Sequence, residues 1–157
     1  MMLEPLSYSL DNTPLSSSGK RTVVVETARR LSPLNIDLLK IEFPLDQSDR
    51  DESHWLAACQ EVSAVSATPW ILLSAAVDYE TYLKQVITAC NAGASGIAVG
   101  RAVWQEAVNL PPRERNEFLI TTARLRLSRL NSLCFSLARP FTDFYSAAAP
   151  FDWYREY

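Results

Sequence analysis

The sequence predicts an α/β fold built on a parallel sheet, and three observations carry that prediction. Short apolar runs recur along the chain, each bounded by proline, glycine or asparagine. Each run is followed by a stretch whose apolar residues fall three or four apart, and the alternation repeats four times. Right-handed crossovers let such units either wind doubly or curl toward a barrel. No G-x-G-x-x-G follows any run, which weakens the dinucleotide-binding option.

Residues 1–6 (MMLEPL) make a first strand ended by a proline, with Glu4 embedded in it. Residues 7–20 are polar, carry Pro14, Ser16, Ser17, Ser18 and Gly19, and read as a loop. Thr22 is the expected cap of a helix running to Leu31, with Val24, Val25, Ala28 and Leu31 on one side. Residues 36–44 (IDLLKIEFP) form the strand around which the chain is organised. Pro33 and Asn35 punctuate its start, Pro44 ends it, and its apolar density predicts burial on both faces. Alternation places Ile36, Leu38, Lys40 and Glu42 on one face and Asp37, Leu39, Ile41 and Phe43 on the other.

A charged loop spans 46–51, and Ser53 is the expected cap of a second helix to Val65, with Trp55, Leu56, Cys59 and Val62 inward. Residues 69–74 (PWILLS) form a third strand. Asp78 begins a helix that turns Leu83, Val86, Ile87 and Cys90 inward and closes at 91–94 (NAGA). Residues 95–99 (SGIAV) form the fourth strand, and Gly100-Arg101 turns into another helix that Pro111-Pro112 breaks. Residues 113–139 read as one long helix with Phe118, Leu119, Leu125, Leu130, Leu133 and Leu137 available to pack. The expected organisation is an α/β unit over 1–110, the long helix over 111–139, and an aromatic tail over 140–157.

With 157 residues, 48% of them hydrophobic and 21% charged, the composition is that of one globular domain. A net charge of −3 argues against nucleic acid and anionic membrane surfaces as partners. Cys59, Cys90 and Cys134 are odd in number and widely spaced. They show neither metal-ligand nor disulfide-framework spacing and read as reduced thiols of a cytoplasmic protein. No apolar stretch approaches a membrane span, and the first residues lack the features of a signal peptide.

In parallel α/β architectures, reactive residues gather at the carboxyl ends of the strands. That rule selects Glu4, Lys40, Ser74 and the pair Gly100-Arg101, one contribution from each strand. A lysine in an apolar wall is costly as an ammonium, and the neutral amine is a nucleophile. The plainer alternative for Lys40 is an ion pair with Glu42 at the strand end. Gly100-Arg101, opening a helix, offers backbone N–H groups and a guanidinium to an anion such as phosphate, and Ser74 adds a hydroxyl. Arg101 alone has the plainer reading of a surface helix residue.

The ordered set Leu3-Glu4-Pro5-Leu6, Asp37-Leu38-Leu39-Lys40-Ile41-Glu42-Phe43-Pro44, Leu73-Ser74-Ala75, Gly93-Ala94-Ser95-Gly96 and Gly100-Arg101-Ala102-Val103-Trp104 resembles the tagatose 1,6-bisphosphate aldolase family. Sulfofructose phosphate aldolases are among that family's relatives. The resemblance covers most of residues 1–110. It implies a class I aldolase on a (βα)8 TIM barrel, with this chain as the C-terminal half, strands five to eight. By the same resemblance Lys40 matches the Schiff-base lysine and Glu4 the general acid/base. Ser74, Gly100 and Arg101 match the grip on the terminal phosphate or sulfonate of a ketose. The implied products are dihydroxyacetone phosphate and a three-carbon aldehyde, with no cofactor and no metal.

Two departures from the family pattern set further expectations. Many relatives carry Gly where this chain has Ala76, so crowding of the backbone beside the anion site is expected. A full barrel needs about 250 residues, so a truncated or split product is expected. Otherwise a second copy, or a chain supplying strands one to four, completes the barrel. An isolated half leaves two apolar sheet edges unpaired, and the sugar-selecting residues are expected mostly in the other half. Outside the aldolase reading stand a non-catalytic half-barrel and a plain phosphate-binding α/β module.

Several residues carry no functional expectation. His54 sits among charged residues without ligand partners nearby in sequence, and Glu26 and Glu80 read as solvent-facing. Arg113, Arg115, Arg124, Arg126 and Arg129 alternate with Glu114 and Glu117 and read as a solvated helix face. Phe141, Phe144, Tyr145, Phe151, Trp153, Tyr154 and Tyr157 have no helical period. They read as a strap over the domain or an oligomer contact.

Overall fold

Four parallel strands pair in the order in which they occur along the chain: β1 (Met2–Leu3), β2 (Leu38–Ile41), β3 (Trp70–Leu73) and β4 (Ile97–Ala98). The architecture is that of a computed structural model, which describes residues 1–11, 13–146 and 152–156. Three helices cross between successive strands: α1 (Ser17–Leu31), α2 (Glu52–Val65) and α3 (Tyr79–Asn91). Crossovers between parallel strands are right-handed as a rule, and with that hand a strand order without reversal puts all three helices on one face of the sheet. Doubly wound sheets need a reversal of strand order. Of the two windings the sequence left open, this is the single one.

One-sided cover explains the burial of the strands. Leu39, Ile41, Trp70 and Leu72 are each at most 2% exposed and pack with Val24, Ala28, Ala58, Val62 and Val86 of the helices. The opposite face, carrying Met2, Leu38, Lys40, Ile71 and Ala98, is exposed or half-buried. Burial of the 36–44 strand on both faces is therefore not what forms. No described helix covers the second face, and only four residues of the run are paired as strand.

Local chemistry sets the helix boundaries. α1 starts five residues before Thr22 because the Ser16 hydroxyl accepts from the Gly19 N–H at 3.1 Å, so the serine run caps the helix instead of looping. α2 is capped by Asp51, which accepts from the Ser53 N–H at 2.9 Å, two residues earlier than the expected cap. α3 follows the Asp78 cap as expected and ends at Gly93, whose φ of 106° only glycine adopts readily.

After β4 come a single turn, α4 (Arg101–Trp104), a 3-10 segment (Gln105–Asn109), α5 (Pro112–Phe118) and α6 (Arg124–Leu137). α5 and α6 are joined by a π turn (Leu119–Ala123), so the expected long helix runs from 112 to 137 with an irregular middle. Pro112 occupies its first turn, where a missing N–H costs nothing.

α6 packs on α3, and its Leu130 is wholly buried. Beyond it, the Arg139 N–H donates to Ala94 O at 2.9 Å and the Tyr145 hydroxyl to Asp37 O at 3.0 Å. Asp37 and Ala94 precede β2 and β4, so this part of the tail lies at the amino ends of the strands. The Phe141 and Tyr145 rings pack at 4.9 Å, and Arg139 covers Phe144 at 4.1 Å. Phe151 and Tyr157 lie outside the described residues. No helix among the described residues is long and apolar enough to cross a membrane.

Leu130→Ala is expected to lower the unfolding free energy by about 3 kcal/mol, read from chemical denaturation. A loss below about 1 kcal/mol would mean that α6 is not part of this core.

Candidate active site

Parallel pairing points every strand the same way, so whatever follows the strands meets at one end of the sheet. At that end lies a cleft of 330 Å³ lined by Glu4, Lys40, Leu73, Ser74, Ala75, Ala98, Val99, Gly100, Arg101 and Trp104. All five residues selected from the sequence, Glu4, Lys40, Ser74, Gly100 and Arg101, border it.

Lys40 Nζ donates to Glu4 Oε2 at 2.7 Å. The register explains the pairing: Met2 lies beside Leu38, so two residues on, Glu4 comes beside Lys40. Neighbouring strands lie about 4.8 Å apart, whereas same-face residues on one strand are separated by about 6.6 Å. The cross-strand carboxylate therefore wins over Glu42, two residues away. Glu42 instead accepts from the N–H and the hydroxyl of Ser7, each at 2.6 Å. The alternative Lys40–Glu42 ion pair does not form. The Lys40 side chain is 21% exposed and that of Glu4 44%, so the pair faces the cleft with the lysine the more enclosed.

The other end of the cleft is unpaired. Ser74 is buried, yet its hydroxyl has no hydrogen-bond partner among the described residues. The exposed Arg101 guanidinium likewise has no ion-pair or hydrogen-bond partner among them. Trp104 lies beside Gly100, where an added Cβ would sit 3.8 Å from its indole Nε1, so an N–H donor also borders the cleft. The helix opened by Gly100-Arg101 is only one turn long. The expected contribution of a helix terminus to anion binding is thus small, because the macrodipole needs aligned turns. An anion here would be held by the Arg101 charge and by discrete donors.

Ser74 starts a tight turn closed by Val77 N–H to Ser74 O at 3.1 Å. Its two central residues, Ala75 and Ala76, have φ of 44° and 57°. Positive φ at both positions is the type I′ pattern, normally filled by Asn or Gly. Ala76 lines a neighbouring hollow with Tyr79 and Arg101, not the Lys40 cleft. The positive φ of Ala76 carries a conformational cost.

Cysteine chemistry lies elsewhere: all three thiols are free, and none borders the cleft. Burial pushes the Cys59 thiol up to about 12. A hydrogen bond shared by Cys90 and Cys134 raises the first and lowers the second. Among the described residues no group of three or more His, Cys, Asp or Glu side chains is arranged to hold a metal ion. His54 is exposed and faces Asp49 and Asp51 at 3.3 and 3.5 Å.

Two arginines read as solvated are engaged. Arg115 donates to the carbonyls of Ala107, Val108 and Leu110, and Arg126 to Val103 O at 3.1 Å. In the sequence Trp104 stands out only as the last residue of the Gly100-Arg101-Ala102-Val103-Trp104 motif. Nothing in composition or spacing marks it or Arg126, because both acquire their positions from irregular segments.

The class that fold and cleft define is a parallel α/β domain with a lysine–carboxylate pair and an open arginine at the carboxyl end of its sheet. Residues 3–106 match the family model described as DeoC/LacD family aldolase, and the chain belongs to that family. Similar proteins include tagatose 1,6-diphosphate aldolase 1 from Streptococcus pyogenes serotypes M3, M1 and M18. Each is 29% identical over 124 residues, covering 69% of this chain and 38% of its own length. The chain thus spans 38% of the length of these curated relatives.

Ala76→Gly is expected to raise the unfolding free energy by roughly 0.5–1 kcal/mol, since relief of the left-handed alanine exceeds the added entropy of the unfolded chain. An unchanged or lowered denaturation midpoint would contradict the strained turn. The Asp78 carboxyl is held below the usual carboxylate range, first by the Thr81 hydroxyl and then by its N–H. A depressed folded value contributes stability in full above the ordinary 3.8 and loses it as pH falls through the folded value. Asp78→Asn should therefore show a shallower acid limb than the parent below about pH 4. Parallel acid limbs would rule this contribution out.

Proposed function

We propose that this chain carries the reacting half of a class I aldolase site that cleaves a phosphorylated or sulfonated ketose. A tagatose 1,6-bisphosphate-like substrate would yield dihydroxyacetone phosphate and a three-carbon aldehyde. The observation that carries this reading is the 2.7 Å contact between Lys40 Nζ and Glu4 Oε2, in a cleft whose far wall holds an unpaired arginine. The names of the relatives support the sugar-phosphate substrate class.

In this reading Glu4 takes the proton that frees the Lys40 amine, along the hydrogen bond that joins them. The amine adds to the ketone carbon, Glu4 returns its proton to the departing hydroxyl as the carbinolamine loses water, and the resulting iminium is the electron sink. Glu4 then accepts the proton of the hydroxyl on the departing fragment. The C–C bond breaks, the aldehyde leaves, and the bond's electron pair moves toward the iminium nitrogen to give an enamine. Protonation and addition of water release dihydroxyacetone phosphate and the free lysine. Arg101, the Ser74 hydroxyl and the Gly100 backbone hold the terminal anion so that the carbonyl lies over Lys40, an orientation effect. Trp104 adds an indole donor on the same side.

The reading includes a C-terminal half-barrel over residues 1–110, corresponding to strands five to eight, braced by the helix over 111–139. β1 and β4 each have one unpaired edge among the described residues, and the face carrying Lys40 has no helix over it. These open edges favour a second reading, in which catalysis needs a partner chain supplying strands one to four.

Borohydride reduction in the presence of dihydroxyacetone phosphate should add covalent mass at Lys40, lost in Lys40→Met. A folded chain that gains no mass at Lys40 when alone, but does so with a chain supplying the other strands, supports the second reading. No adduct under either condition refutes the aldolase proposal.

A further inference from the structure

The cleft's proposed anion wall is built from two loops that share no hydrogen bond among the described residues. One is the Ser74–Val77 turn leading into α3, and the other runs from Gly100 through α4. We propose that Arg126 of α6 is a positioning residue for this wall, clasping both loops at once. The proposal rests on the assignment of Ser74 and Arg101 as the anion grip.

Arg126 Nη1 donates to Val103 O at 3.1 Å and pairs with Glu106 Oε1 at 2.8 Å, which ties it to the loop carrying Arg101. Its guanidinium lies over the Tyr79 ring, 4.7 Å from the centroid, and 5.5 Å from that of Phe118. Tyr79 is the first residue of α3, two positions beyond the turn that Ser74 opens. The Arg126 side chain is only 20% exposed, so it is a partly enclosed charge with two polar partners and aromatic surroundings. The Tyr79 hydroxyl is buried without a partner among the described residues, and the ring is the part of that side chain that meets Arg126.

The π turn makes the arrangement possible. Phe118 and Arg126 are eight residues apart, which at about 100° per residue would leave them about 80° apart around a regular helix. A π turn absorbs one residue, leaving about 700° and bringing the two within about 20° of one face. The irregular stretch Leu119–Ala123 thus delivers Arg126 to the place where Phe118, Tyr79 and Glu106 meet. Arg126 lies outside the 3–106 stretch matched to the family, so this clasp is supplied by a part of the chain that the family match leaves aside.

The test is the dissociation constant for inorganic phosphate, measured by calorimetry on the whole chain well below its unfolding temperature. Arg126→Met should weaken binding by roughly tenfold, as misplaced groups do when a distant support is removed. Arg126→Lys should restore part of it through the Glu106 ion pair. Unchanged affinity in a folded Arg126→Met protein overturns the proposal. If Arg126→Met does not fold, Glu106→Gln decides: weaker phosphate binding at unchanged stability supports the clasp, and unchanged binding overturns it. Arg101→Met separates the two readings. Should the parent bind no phosphate, or Arg101→Met bind it equally well, the grip itself falls and the clasp with it. Should Arg101→Met abolish binding while the Arg126 and Glu106 variants leave it intact, only the clasp falls.

Discussion

The contact between Lys40 and Glu4 exists because two parallel strands lie side by side in one register. Everything else at the cleft depends on that constraint. A parallel pair sends both chains out of the sheet at the same end, and the singly wound order repeats this four times. A lysine, a carboxylate, a serine and an arginine from widely separated stretches therefore border one hollow without any of them being near another in sequence.

The same constraint has a structural cost. Single winding leaves one face of the sheet without helices, so the side chains that flank Lys40 stay half-exposed while those on the other face are fully enclosed. Apolar residues such as Met2 and Ile71 sit on this open face. The asymmetry keeps the lysine enclosed on its flanks yet reachable from the cleft, as the nucleophile proposed above requires. Arg101 adds the second requirement, a charge not already neutralised by a carboxylate.

Much of this was legible in the sequence because it depends on short-range rules. The period-two pattern of residues 36–43 separated Lys40 from Leu39 and Ile41 correctly, and Asp78 announced α3 through its capping chemistry. The Lys40 partner was harder to read. Two residues along a strand look close in sequence and are farther apart than two strands in a sheet, so Glu4 and not Glu42 reaches the amine. The serine run before Lys20 looked like a loop because serine suits both loops and caps, and only the Ser16–Gly19 hydrogen bond decides between them.

What stayed illegible comes from irregular backbone. No residue pattern announces the π turn Leu119–Ala123, so Arg126 read as one more charge on a solvated face. The type I′ turn at Ala75-Ala76 breaks the usual Asn or Gly preference, and its backbone conformation had no signal in the sequence. Both departures sit around the proposed anion wall, where local preference yields most readily to the demands of a site.

The most direct measurement is a crystal structure of the chain with dihydroxyacetone phosphate. The account predicts the phosphate against Arg101 and Ser74, the ketone carbon within bonding reach of Lys40 Nζ, and Glu4 still beside that nitrogen. A phosphate bound away from Arg101, or a Lys40 turned from the cleft with Glu4 elsewhere, would contradict it.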